Sequence, residues 1–325
     1  MSAPLYGVIL AAGRGTRIAP LSAQHPKPLI PTLGRPLWEL HLLALERLGV
    51  SMIAVNGHHL GDQVVRAAAQ WHQPPIVCLE ETLLGTGGGL CAMAKALYQQ
   101  RGPGTIVVLN GDALFDFALA PALERHRSSG AVATLALRPT EPGDPFGRVA
   151  FERGGEVLRI AEVEGPRAAE ATGLGAFTGL QIVDPPLIER LDPTPSDSFR
   201  SGYRWLLREG VPIQSHLVDP HALWVDVGTP QRYQAAHWAL LERSESALWE
   251  RLPAGHRFDW GVLGAGARIE EGASLKGPVW VGPNAVVGAG VHAERAIIWP
   301  GVELREDCVN AVATPRGVIS LSEKN

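Results

Sequence analysis

Apolar and polar positions along the first 130 residues fall into blocks of two kinds. Short, almost unbroken apolar runs stand at residues 6–10, 52–55, 76–79 and 105–109, the length and texture of strands buried on both faces. Helix-length amphipathic segments lie between them. Over residues 36–48, Leu37, Leu40, Ala44 and Leu48 recur at helical spacing and Gly49 ends the pattern. Strands alternating with helices predict an α/β fold: a Rossmann-like, mostly parallel sheet with helices on both faces and ligands beyond the carboxyl ends of its strands. After Ala131 the texture becomes strand-rich, at residues 132–137, 148–151, 157–160 and 175–182. This predicts an inserted antiparallel or mixed region able to hold a second substrate. Thr229 and Pro230 then predict a capped helix through Tyr233, Ala236 and Leu240.

The last sixty residues carry a different period. Leu263, Ile269, Leu275, Val281 and Val287 recur every six residues, with Gly264, Gly282 and Gly288 directly after three of them. That is the spacing of a hexapeptide parallel β-helix, here of two to three coils between Leu263 and Val309 with a frayed end, since the phase slips around residues 293–298. Residues 252–261, rich in Pro, Gly and bulky aromatics, read as a linker. The predicted division is a first domain over residues 1–250 and the β-helix over 262–325, the latter serving oligomerisation or packing.

Composition narrows the function. With 325 residues, 46% of them hydrophobic and 19% charged, the chain can bury a sizeable core. A net charge of −4 gives no basic footprint for nucleic acid. Cys78, Cys91 and Cys308 lack the spacing of a zinc site or a disulfide framework, and no basic leader precedes the first apolar run, so a reducing, cytoplasmic setting is expected. No stretch approaches the roughly 18 apolar residues of a membrane span.

Any phosphate chemistry must therefore be local, and the N-terminus offers a place for it. The first apolar run opens into Leu10-Ala11-Ala12-Gly13-Arg14-Gly15-Thr16-Arg17, followed by Pro26-Lys27-Pro28-Leu29. A glycine turn leaving a buried strand lets backbone amides point outward together and approach phosphate oxygens without an intervening Cβ. Arg17 adds a planar charged fork for β- and γ-phosphates, and Lys27 a compact cation for the α-phosphate, where charge develops. The Gly-Lys-Ser/Thr ending of a P-loop is missing, and Ile18 stands where a dinucleotide fingerprint needs its third glycine. Adjacent His58 and His59 diverge and read as loop contacts rather than a metal pair.

Gly-x-Gly-Thr-Arg together with Pro-Lys-Pro-Leu resembles the sugar-1-phosphate nucleotidyltransferases, over nearly the whole chain. The resemblance implies that a nucleoside triphosphate and a sugar 1-phosphate are the substrates, that Arg17 and Lys27 act as argued from their charge, and that the C-terminal repeat is the left-handed β-helix many members carry, a possible route to a homo-oligomer. It also implies a Mg²⁺ site, for which Asp112, in Asn110-Gly111-Asp112, and Asp226, in Trp224-Val225-Asp226-Val227-Gly228-Thr229, are placed at strand ends. Leu10, Ala11, Ala12, Gly13, Gly15 and Thr16 are implied to hold the triphosphate. Gly85, Thr86 and Gly87, in a loop between a strand and a helix, are implied to hold base and ribose. Gly147, Glu164, Thr178 and Gly179 match the family's sugar contacts. The family's Glu-Lys-Pro has become Glu164-Gly165-Pro166, so another cation, Arg148 or Arg200, must meet the sugar phosphate. The same departure motivates an alternative reading, a non-catalytic regulatory or scaffold subunit. The family's usual Gln near the glycine run is replaced by Glu80-Glu81, which leaves the base open.

Overall fold

A computed structural model describes residues 3–140 and 148–321. The chain forms two compact units that interleave in sequence: Met1–Arg14, His41–Ala113 and Phe117–Trp224 make the first, and Gly15–Leu40, Leu114–Asp116 and Val225–Asn325 the second.

The first unit is built on a ten-stranded sheet. The four expected strands appear as Leu5–Leu10, Met52–Gly57, Ile76–Leu79 and Thr105–Asn110. They run parallel, with Leu5–Leu10 between Met52–Gly57 and Thr105–Asn110. Their inward positions Tyr6, Val8, Ala54, Ile106 and Val108 are fully buried, and Leu90, Cys91, Met93, Ala94 and Leu97 of the helix Gly85–Arg101 join the same core. Burial of this kind contributes about 25 cal/mol for each Å² of apolar surface removed from water. The apolar runs at residues 6–10, 52–55 and 105–109 therefore specify this core directly.

The strand-rich segment is not a separate insert. Gly173–Val183, eleven residues long, continues the parallel sheet in the antiparallel sense. Its second half pairs with Thr105–Asn110 and its first half with Arg148–Phe151 along the same edge. Ala133–Pro139 covers the opposite edge, and Ile213–Leu217 adds beside it. One strand long enough to serve two partners in succession fuses the two regions into one sheet.

In the second unit the helix Pro230–Leu241 begins as its cap residues dictate: the Thr229 hydroxyl accepts from the Arg232 amide at 3.2 Å. Tyr233 and His237 are fully buried. The Tyr233 hydroxyl donates to the Pro31 carbonyl (2.5 Å) and accepts from Trp299 Nε1 (2.9 Å). His237 accepts from the Leu33 amide (3.0 Å) at Nε2 and donates to the Tyr233 carbonyl (2.9 Å) at Nδ1. Burial pushes its pKa down to about 4, so the ring is neutral.

The six-residue repeat forms three parallel sheets stacked coil on coil. Gly261 pairs with Val279 eighteen positions on, Trp280 with Ile297 seventeen on, and Ile297 with Val312 fifteen on. The phase slip is thus a shortening of the later coils, whose register continues to Ala311–Thr314 rather than fraying. Neither is the segment before it a free linker. Gly255–Phe258 folds antiparallel onto Gly261–Gly264, and Gly317–Ser320 folds back onto Ala311–Thr314. Gly255–Phe258 and Gly317–Ser320 thereby become the outer strands of that sheet, four residues each, and short edge strands limit pairing with another chain.

Candidate active site

In the first unit the N-terminal turn and Asn110-Gly111-Asp112 lie at the carboxyl ends of neighbouring parallel strands. Leu10 lies in register with Asn110, and the Gly111 amide donates to the Leu10 carbonyl at 2.8 Å. A Cβ on Gly111 would stand 2.7 Å from that carbonyl, so glycine is what lets the two strand ends close together. Asp112, the next residue, is carried beside the N-terminal turn. A Cβ at Gly13 would meet nothing within 4 Å, so no protein atom demands glycine there, and its absence leaves the turn open to an incoming group.

The amides before Gly13 behave differently from the expectation. Ala11 and Ala12 donate to one atom, Asn56 Oδ1, at 2.6 and 3.2 Å. They do not point outward, because buried N–H groups at a strand end need an internal acceptor. Asn56 is itself held: its Nδ2 donates to Glu80 Oε1 at 2.7 Å. The second Glu80 carboxylate oxygen accepts from the Leu84 amide at 2.9 Å, and its carbonyl bonds His58 Nδ1 at 2.8 Å. Glu80, noted in the sequence only as a departure from Gln, is 7% exposed.

The glycine run is likewise not a loop before the helix but its first turn, Gly85 opening Gly85–Arg101. Its glycines make room for the chain at residues 194–198. Gly85 has φ 68°, and a Cβ on it would stand 2.5 Å from the Ser196 carbonyl; one on Gly88 would collide with the Thr194 carbonyl. The Gly87 amide donates to the Ser196 carbonyl (2.9 Å), and the Thr86 hydroxyl accepts from the Ser198 amide (3.0 Å). Residues 194–198 went unrecognised in the sequence because nothing local marks them.

Of the expected sugar contacts, Gly147 lies outside the described residues. Glu164 is exposed and faces Arg159 at 3.7 Å. The Thr178 hydroxyl is taken up by the Ala136 carbonyl (2.9 Å), and the Thr178 carbonyl accepts from Trp224 Nε1 (2.6 Å). Gly179 has φ 90° and sits where a Cβ would press on Asn110 at 2.9 Å. Arg200 pairs with Glu162 at 3.2 Å, and Arg148 is exposed.

The second unit holds the two cations. Gly15, at φ 65°, would place a Cβ 3.1 Å from Ser22 Cβ and 3.6 Å from Lys27 Cβ, and the Ser22 hydroxyl donates to the Gly15 carbonyl at 2.8 Å. Glycine and lysine, twelve positions apart, thus meet in one turn. Prolines on both sides restrict the backbone of Lys27, which opens a short 3₁₀ turn, while buried Ile18 anchors the turn that exposes Arg17. Asp226 gives Oδ2 to Arg232 at 2.7 Å, whereas its Oδ1 is buried with no hydrogen-bond partner among the described residues. A buried carboxylate oxygen with spare lone pairs suits a hard cation. Among the described residues no three His, Cys, Asp or Glu side chains form a metal cluster by themselves, and no helix is long and apolar enough to cross a membrane.

A sequence model of the nucleotidyl transferase family matches residues 6–243. The chain is 28% identical to a UTP–glucose-1-phosphate uridylyltransferase of Synechocystis sp., covering 94% of this chain and 87% of that protein. It is 30% identical to a mannose-1-phosphate guanylyltransferase of Mycobacterium tuberculosis, over 93% and 82%, and 26% identical to a mannose-1-phosphate guanylyltransferase catalytic subunit beta of Danio rerio, over 94% and 85%.

Proposed function

The chain belongs to the nucleotidyl transferase family, and from that premise we propose that it joins a nucleoside triphosphate to a sugar 1-phosphate, yielding a nucleotide sugar and pyrophosphate. The observation that carries the proposal is the bonding of the glycine turn to the strand end that bears Asp112, Gly111 amide to Leu10 carbonyl. This arrangement brings the backbone of residue 112 next to a turn left open at Gly13.

A sugar phosphate oxygen attacks the α-phosphorus and pyrophosphate leaves from the opposite side. No general base is needed, since the attacking phosphate is already ionised at neutral pH. Both substrates are polyanions, so alignment and charge neutralisation are the main work. Arg17 draws on the departing phosphates and Lys27 on the α-phosphate. Asp112 and Asp226 would hold Mg²⁺, for which the unpartnered Oδ1 of Asp226 is suited. When bound, the ion supplies charge neutralisation at the phosphates. Gly85, Thr86 and Gly87 present base and ribose contacts. Glu164, Gly179 and the segment containing Gly147 receive the sugar, and Thr178 supports them through its backbone. Residues 1–250 carry the activity and 262–325 the β-helix, a surface for homo-oligomer contacts, in a cytoplasmic enzyme.

The test is pyrophosphate release with Mg²⁺ across UTP, GTP and dTTP, each against a panel of sugar 1-phosphates. Turnover with one pair identifies base and sugar; silence across the panel returns the chain to the regulatory reading.

A further inference from the structure

We infer that Asn56 and Glu80 form a positioning pair whose fixed hydrogen-bond polarity holds both nucleotide-contacting segments, so that exchanging either side chain alone weakens triphosphate binding and exchanging both restores it. The inference rests on the nucleotidyltransferase reading for the identity of the ligand.

The geometry is a relay across three strand ends. From the end of Leu5–Leu10, the Ala11 and Ala12 amides both point at Asn56 Oδ1. From the end of Met52–Gly57, Asn56 Nδ2 points at Glu80 Oε1. From the end of Ile76–Leu79, Glu80 Oε2 receives the amide of Leu84, the residue before the helix Gly85–Arg101. Asn56 is 3% exposed and Glu80 7%, so water does not substitute for a lost partner. Gly89 seals the arrangement: a Cβ there would lie 2.7 Å from Asn56 Nδ2 and 2.9 Å from Glu80 Oε1.

Donors and acceptors dictate the residue types. Two amides at one end and one at the other are donors only, so both ends of the relay must present oxygen. Asn56 then has to turn its NH₂ toward residue 80, which must accept there and accept again from Leu84. Only a carboxylate does both. A Gln at position 80 puts its NH₂ against either Asn56 Nδ2 or the Leu84 amide, and an Asp at position 56 brings two carboxylates together, which must share a proton. The two substitutions cure each other. In N56D/E80Q, Asp accepts from Ala11 and Ala12, Gln donates to Asp through Nε2 and accepts from Leu84 through Oε1, and net charge is unchanged.

The experiment is calorimetric titration of the full chain with UTP, GTP and dTTP in Mg²⁺, alongside steady-state kinetics. E80Q and N56D are each expected to weaken triphosphate affinity and raise the triphosphate KM roughly ten- to a hundredfold, the effect of one buried donor or acceptor left unmade. The sugar 1-phosphate KM and kcat should change by less than about threefold, and the double exchange should return within about threefold of the parent, the scatter of near-additive sites. The N56D defect should deepen as pH rises and the shared proton is lost. If a single exchange prevents folding, the double exchange decides: folded with near-parental triphosphate affinity supports the pair. A double variant no better than the singles, or singles with unchanged triphosphate affinity, overturns it. A parent chain that binds one of the three triphosphates but releases no pyrophosphate defeats the proposed reaction while leaving the relay measurable by titration; one that binds none of them overturns the relay's role as well.

Discussion

His237 makes the stability of the second unit depend on pH in a calculable direction. Its imidazole is fully buried, accepts from the Leu33 amide and donates to the Tyr233 carbonyl, and burial lowers its pKa from 6.5 to about 4. In the unfolded chain the ring takes up a proton below about pH 6.5, whereas in the fold it stays neutral down to about pH 4. Between those values the unfolded state binds more protons, so stability falls as pH falls; above the window the full contribution is present, and below it no further loss follows. A shift of that size, at about 1.4 kcal/mol for each pH unit, amounts to about 3 kcal/mol between pH 7.5 and pH 4. Urea unfolding of the parent chain and of His237→Gln at half-unit steps across this range isolates the group, because every other titration is common to both. The parent should lose stability relative to the variant as the buffer is acidified. A difference between the two curves that stays level from pH 7.5 to pH 4 would refute the neutral buried imidazole.

Three further outcomes are expected. Gly88→Ala drives a Cβ into the Thr194 carbonyl, and overpacking against backbone should lower unfolding free energy by about 1–3 kcal/mol in chemical denaturation. Thr229→Ala removes the oxygen that accepts from the Arg232 amide and should destabilise the chain by about 1 kcal/mol, with Thr229→Ser recovering most of it. Lys27→Ala should slow pyrophosphate release roughly a hundredfold or more with the accepted substrate pair, as loss of a preorganised charge does; an unchanged rate removes Lys27 from the reaction.

What could be read in the chain alone is what repeats or what is contiguous. Parallel strands announce themselves at residues 6–10, 52–55 and 105–109 because burial on both faces demands uninterrupted apolar side chains, whereas 76–79 forms the outer strand, where Leu79 is 57% exposed. The six-residue period is legible because successive coils place its members at equivalent positions, Leu263 over Val281 and Ile269 over Val287, although only the later member of each pair is fully buried. The turn ending at Arg17 and the Pro-Lys-Pro segment are local, and the charge each carries is read directly from residue type. Tertiary structure decided everything that depends on pairs distant in the chain. Ala11, Asn56, Glu80 and Leu84 become one relay only when three strand ends lie side by side. Gly85 and Gly88 acquire their reason from carbonyls more than a hundred residues away, at Ser196 and Thr194. A buried polar group takes whichever partner the fold brings within about 3 Å, and that partner leaves no mark on the residues next to it in sequence.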